Sequence, residues 1–117
     1  MISARNLIVV WHGSTRQAWV DVARLAVEHL ESRLDLSVRT ASVGTFQERL
    51  QDALSEGAVD IVVLPLFVAP GGHVFDDVDA AIVAAKDAHP GVSISRLATM
   101  LETSEVLDAL VSVVKRA

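Results

Sequence analysis

Two of the four histidines in this 117-residue chain, His12 and His73, stand just beyond short apolar runs and are flanked by small residues. The runs are Leu7-Ile8-Val9-Val10 and Ile61-Val62-Val63-Leu64, and the loops that follow read Trp11-His12-Gly13-Ser14 and Ala69-Pro70-Gly71-Gly72-His73. Neutral imidazole binds first-row transition metals and accepts protons near neutral pH. A pair with coordination positions left open suits a metal ion held in passing, because a structural site normally closes with four protein ligands. Gly13, Gly71 and Gly72 would let a flat or bulky ligand approach the backbone. Ser14 and Arg16 add donors beside His12, and an arginine there can grip a carboxylate through two parallel hydrogen bonds.

The elements that must position these groups alternate along the chain. Runs so short and rich in β-branched residues predict buried parallel strands, and ligands of open α/β sheets bind beyond the carboxyl ends of the strands. After the first strand, Trp19, Val22, Ala23, Ala26, Val27 and Leu30 recur at helical spacing as one apolar stripe. A second strand is expected at about 37–43. Thr45-Phe46-Gln47-Glu48 has the form of a capping box opening a helix through about Ser55, with Phe46, Leu50, Ala53 and Leu54 inward and Gly57 as its stop. A third strand at about 60–66 leads through the glycine-rich loop to a helix from about Phe75 to Ala88. Its inner face is Val78, Ala81, Ile82 and Ala85, and Pro90-Gly91 ends it. Val92, Ile94 and Leu97 alternate with polar residues as in an edge strand with one wet face. Thr103 or Ser104 opens a last helix carrying Leu107, Leu110, Val111 and Val114.

Four strand–helix units with short connections predict one α/β domain over residues 1–117, a mainly parallel sheet with helices on both faces. Strand order 2-1-3-4 would set strands one and three side by side, about 4.8 Å apart, and bring His12 and His73 around one small ligand. Asp76 and Asp77 open a helix, where carboxylates meet the positive end of its dipole; one of them could also orient His73. His29 falls on a polar helix face, and His89 before Pro90 suits a helix end.

Composition narrows the partners. A formal net charge of −5 without a basic run argues against nucleic acid, and obliges any anionic ligand to be held by local donors. The longest apolar stretch, around 61–69, is broken by Pro65 and falls short of the ~20 residues of a membrane span. The absence of cysteine excludes disulfides and thiolate metal sites; with no signal-peptide pattern at the start, a cytoplasmic location is expected. Hydrophobic residues make up 51%, which leaves apolar surface for a partner. One small domain offers little wall to enclose a large ligand, so a homodimer is expected.

The segments Leu7-Ile-Val-Val-Trp-His-Gly-Ser14 and Val63-Leu-Pro-Leu-Phe-Val-Ala-Pro-Gly-Gly-His-Val74, with Asp77 beyond, resemble the sirohydrochlorin chelatases in their short, single-lobe form. The resemblance implies a chelatase-like three-layer sandwich and a homodimer that reproduces the two fused lobes of longer chelatases. It implies insertion of a divalent metal into the tetrapyrrole sirohydrochlorin, with His12 and His73 as metal-binding and catalytic residues. Cobalt, on the way to cobalamin, is the first expectation; iron for siroheme and nickel are the alternatives, and no organic cofactor is implied. Substrate contacts are expected from Ser14, Arg16, Gly71 and Gly72. The chain departs from the family pattern in three places. Thr15 stands where many members have Arg, with Arg16 following. Gly44 stands where many have a glutamate, with Glu48 in the first helical turn beyond. Ala98-Thr99-Met100-Leu101 lacks the usual Pro and Gly. The missing glutamate favours, as an alternative of another class, a non-catalytic metal or tetrapyrrole binder. A histidine phosphatase shares the strand-end His-Gly, but this chain has Trp11 where that family has Arg.

Overall fold

The computed structural model describes residues 5–13, 15–67 and 75–117. Four strands, β1 (Arg5–Trp11), β2 (Ser37–Ser42), β3 (Asp60–Pro65) and β4 (Ser93–Arg96), form one sheet in the order β2-β1-β3-β4. Every pairing is parallel. The helices are α1 (Gln17–Arg33), α2 (Phe46–Ser55), α3 (Asp76–Ala88) and α4 (Ser104–Lys115). The α/β class, the strand order and the placement of helices on both faces are therefore as the sequence pattern predicts.

Strand alternation sorts the core into two layers. Ile8, Val10, Ile61, Val63 and Ile94 point to one face, where they are buried against Phe46, Leu50 and Ala53 of α2 and Val78, Ile82 and Ala85 of α3. Leu7 and Val9 point to the other, against Val27 of α1. β1 lies inside the sheet and is buried on both sides from Leu7 to Val10, the condition under which a strand needs a continuous apolar run. β3 differs. Ile61 and Val63 are buried, whereas Val62 and Leu64 on the α1 side are only half-buried.

Three local expectations are corrected. Within the α1 stripe Ala23 and Val27 are buried, but Trp19 and Val22 are 53% and 60% exposed, because the apolar arc is wider than the strip of sheet α1 covers. The capping box does not form at Thr45–Glu48. The Thr45 hydroxyl accepts a hydrogen bond from the Ser42 amide (2.9 Å) inside a 3₁₀ turn, Val43–Thr45, and so makes no cap for α2. Thr103 precedes α4 without capping it by its side chain, since its hydroxyl donates to the Thr99 carbonyl (2.9 Å). Gly57 does stop α2: with φ +91° it turns the chain in the left-handed region.

Replacing Leu50, fully buried between α2 and the sheet, with Ala should destabilise the fold by about 2–5 kcal/mol. The same change at Leu25, 57% exposed on α1, should stay within about 0.5 kcal/mol. Denaturant midpoints of the two variants at equal m-value check this.

Candidate metal and ring-binding site

The parallel ladder delivers the site. β1 pairs with β3 through Val10 opposite Pro65, and the Leu66 amide extends the ladder by donating to the Val10 carbonyl (2.7 Å). One residue further on both strands, His12 and Phe67 leave the sheet together, their ring centroids 5.9 Å apart. On the other flank Trp11 pairs with Ser42 of β2. Gly13 then turns the chain with φ +82°, and a Cβ there would lie 3.3 Å from that of Ser42. Only glycine meets both conditions without strain.

His12 is exposed, with an aromatic ring on three sides. Trp11 lies 6.1 Å away, tilted, while Trp19 at 6.2 Å and Phe67 at 5.9 Å stand edge-to-face. Its Nδ1 is 2.9 Å from the Gly13 carbonyl oxygen. A carbonyl has no proton to give, so the bond exists only when Nδ1 carries the hydrogen. In the neutral ring Nε2 then keeps its lone pair, the form that binds a metal ion or takes up a proton. The exposed loop thus fixes a tautomer through its own backbone.

A second chain of contacts runs from Phe67 away from His12. The Phe67 and Phe75 rings meet edge-to-face at 4.9 Å, and the Arg96 guanidinium carbon lies 4.9 Å from the Phe75 ring centre. Arg96 is itself held by Asp79, through Nε at 2.7 Å and a longer second contact at 3.5 Å. Phe67 and Phe75 precede and follow residues 68–74, so this aromatic pair ties together the two ends of that segment.

The expected site residues divide accordingly. His73, Gly71, Gly72 and Ser14 lie outside the described residues. Arg16 is exposed at the N-terminal boundary of α1, where its carbonyl accepts from the amides of Trp19 and Val20. Gly44 sits in the 3₁₀ turn after β2; a Cβ there would have only the Ser42 hydroxyl nearby, at 3.9 Å. The Ser42 side chain therefore separates Gly13 from Gly44. Gly44 also lines an open cleft of about 340 Å³ between α2 and α3, together with Val43, Gln47, Asp77 and Ala81. Glu48 is exposed on the first turn of α2. His29 is exposed on α1, and His89 closes α3, its amide donating to the Ala85 carbonyl (2.8 Å). Among the described residues no three His, Asp or Glu side chains converge on a point that could hold a metal ion.

Sequence reasoning missed the aromatic walls. Phe67 was nonetheless accessible to it: with strands one and three adjacent, the residue two past Pro65 must fall beside the residue two past Val10. Trp19 was hidden by its own helical spacing, which fits a core stripe as well as it fits a lip over the loop.

The chain matches the CbiX family over residues 6–117. No curated protein matches it significantly. Among solved structures, the CbiX protein from Marinobacter aquaeolei VT8 superposes with a TM-score of 0.74 at 24% identity, covering 96% of this chain and 95% of that one. SirB from Bacillus subtilis with Fe3+ aligns at a TM-score of 0.68 and 21% identity over 82% of this chain. The sirohydrochlorin chelatase SirB from Bacillus subtilis subspecies spizizenii, in complex with cobalt, aligns at 0.66 and 21% over 79%. This chain spans only 40% and 42% of those two SirB chains. Given a family match over nearly its whole length, the chain belongs to the CbiX family.

Proposed function

We propose that this protein inserts a divalent metal ion, cobalt as first choice, into sirohydrochlorin, with His12 and His73 as the residues that hold the ion and accept protons. The observation that carries the reading is the state of His12: an exposed imidazole, at the carboxyl edge of a parallel sheet, whose Nδ1–H is engaged by the Gly13 carbonyl so that Nε2 is left for the ion. Two peptide units separate His73 from Phe75, a reach of at most about 7 Å. The Phe75 ring is in turn one contact from Phe67 and two from His12. That proximity supports a shared role for the two histidines. Family membership and the likeness to a cobalt-bound sirohydrochlorin chelatase support the choice of reaction.

The chemistry asks three things of the chain. The ion must shed water, two pyrrole N–H protons must leave as two nitrogen–metal bonds form, and the macrocycle must be held flat against the ion. Nε2 of His12 replaces one water and leaves other positions open. An unprotonated imidazole takes up a released proton and passes it to solvent. The rings of Trp11, Trp19 and Phe67 offer faces and edges against which a conjugated macrocycle stacks. The carboxylates of sirohydrochlorin would meet Arg16 and the amide-rich start of α1, which offset a net charge of −5. Ser14, Gly71 and Gly72 would supply further contacts. Two imidazoles select weakly among cobalt, iron and nickel, so iron insertion for siroheme is the runner-up within this class. A homodimer is part of the proposal, because one domain of this size leaves the macrocycle exposed on one side.

Gly44 favours a second reading, a binder that holds metal or tetrapyrrole without catalysing insertion, because no carboxylate stands at that point of the turn. Absorbance spectra of sirohydrochlorin with each of cobalt, iron and nickel separate the two: an enzyme accelerates the spectral change over many turnovers, whereas a binder shifts the spectrum once, in proportion to protein.

Replacing His12 with Ala should remove enzymic insertion down to the background rate. As an exposed residue it should cost under about 1 kcal/mol in stability, checked by the insertion assay beside thermal unfolding. The same loss is expected for His73→Ala. Gly44→Glu places a carboxylate where space is open and the backbone is not in the left-handed region. It should leave the melting temperature within a few degrees and raise the insertion rate, read in the same assay; an unchanged rate would mean Glu48 or another group already performs that task.

A further inference from the structure

The last helix lacks a seat. Leu107, Leu110, Val111, Val113 and Val114 of α4 are 45–72% exposed, and no residue of α4 is buried. Leu107, Leu110, Val111 and Val114 recur at the spacing of one helical face, while Glu105, Asp108, Ser112 and Lys115 occupy the other. Such a helix is stable in water only when that face is covered.

The same chain carries a groove that lacks a helix. On the α1 side of the sheet, Val62 and Leu64 of β3 and Leu97 beyond β4 form an apolar floor, with Leu30 and Leu34 of α1 as one wall. The groove encloses about 270 Å³. The flank of α1 above it continues, at helical spacing, through Ala26 and Val22 to Trp19, and Trp19 touches His12. In a four-unit α/β domain this is the place of the fourth helix.

The chain's own α4 is turned away from that place by a bonded hinge. The Met100 amide donates to the Phe67 carbonyl (3.1 Å), which pins the chain to the sheet edge. A 3₁₀ turn, Met100–Glu102, follows. The Thr99 amide donates to Glu102 Oε2 (3.0 Å) and the Thr103 hydroxyl to the Thr99 carbonyl (2.9 Å) around it. The molecule measures 49 × 37 × 29 Å with a radius of gyration of 15.0 Å, against about 13 Å for a compact domain of this length. It is extended by an arm.

We propose that α4 docks in the α1–β3–β4 groove of a second copy of this chain, and the second copy's α4 in the first, so that each site has a wall supplied by its partner beside Trp19. The occupant is argued from complementarity within one sequence: an unseated apolar helix, an empty apolar groove in the position of a helix, and a hinge that keeps the two apart in one copy. A reciprocal exchange covers both surfaces twice, which is how a chain of this size reaches the ~1,000 Å² of total buried surface that a specific interface needs. The proposal deepens the homodimer reading above and rests on it.

The absence of cysteine gives a clean test. Leu97→Cys places a thiol on the groove floor and Val111→Cys one on the apolar face of α4; the two single variants are mixed and treated with a short bis-maleimide, and the doubly substituted chain is treated separately. Exchange predicts a covalent pair joining one chain of each kind, and a covalent dimer from the double variant. A double variant that closes on itself as a monomer, or no linkage in either sample, overturns it. Sedimentation of the unmodified chain is run alongside. A dimer without cross-chain linkage refutes the exchange and leaves the homodimer standing, whereas a monomer refutes both. In addition, L110D/V114D should weaken dimerisation at least a hundredfold, while V83D, at an exposed site on α3 away from the groove, should not; equal effects of the two would also contradict the exchange.

Discussion

The parallel pairing of β1 with β3 is the interaction on which the rest of this molecule depends. It buries the central strand on both faces, so that Ile8, Val9 and Val10 are wholly inside, and it fixes the register in which the two chains leave the sheet. A shift of one residue would turn the core side chains of β1 to the wrong face, and would also separate His12 from Phe67. Fold stability and site geometry are therefore set by one ladder, and a sequence that keeps the first keeps the second.

Beyond the ladder, the site is made by economical local means. Gly13 supplies a left-handed turn that no other residue makes cheaply in contact with Ser42, and its carbonyl fixes the tautomer of the preceding histidine. Phe67 and Phe75 tie down the ends of the segment that carries His73, and Arg96, held by Asp79, backs Phe75. The chelating atom is thus exposed while its support is built from rings and backbone. That division suits a residue that must bind an ion and then release it.

Much of this was legible in the residues, for identifiable reasons. The apolar runs of β1 and β3, the α2 pattern Phe46-Leu50-Ala53 and the stop at Gly57 are local signals with few competing interpretations, and the 2-1-3-4 order follows from handed crossovers. What escaped depended on partners distant in sequence. Thr45 and Glu48 spell a capping box, yet Ser42 reaches the Thr45 hydroxyl first. Trp19 fits a core stripe until the width of the sheet beneath α1 is known. The apolar face of α4 was evident from Leu107, Leu110, Val111 and Val114, but periodicity states only that a face must be covered, not what covers it. The placement of His73 relative to His12 rests on chain reach and topology, since it lies outside the described residues.

The central claim is that Nε2 of His12 is a metal-binding atom, made so by the bond from Nδ1 to the Gly13 carbonyl. The most direct measurement is a cobalt titration of protein labelled with ¹⁵N in its four histidines, followed by long-range proton–nitrogen correlation of the rings. Before metal is added, neutral His12 should show the proton on Nδ1. With one equivalent of cobalt, the His12 and His73 rings should broaden together while His29 and His89 stay sharp. A His12 ring protonated on Nε2, or cobalt that broadens His29 or His89 in its place, would contradict the account.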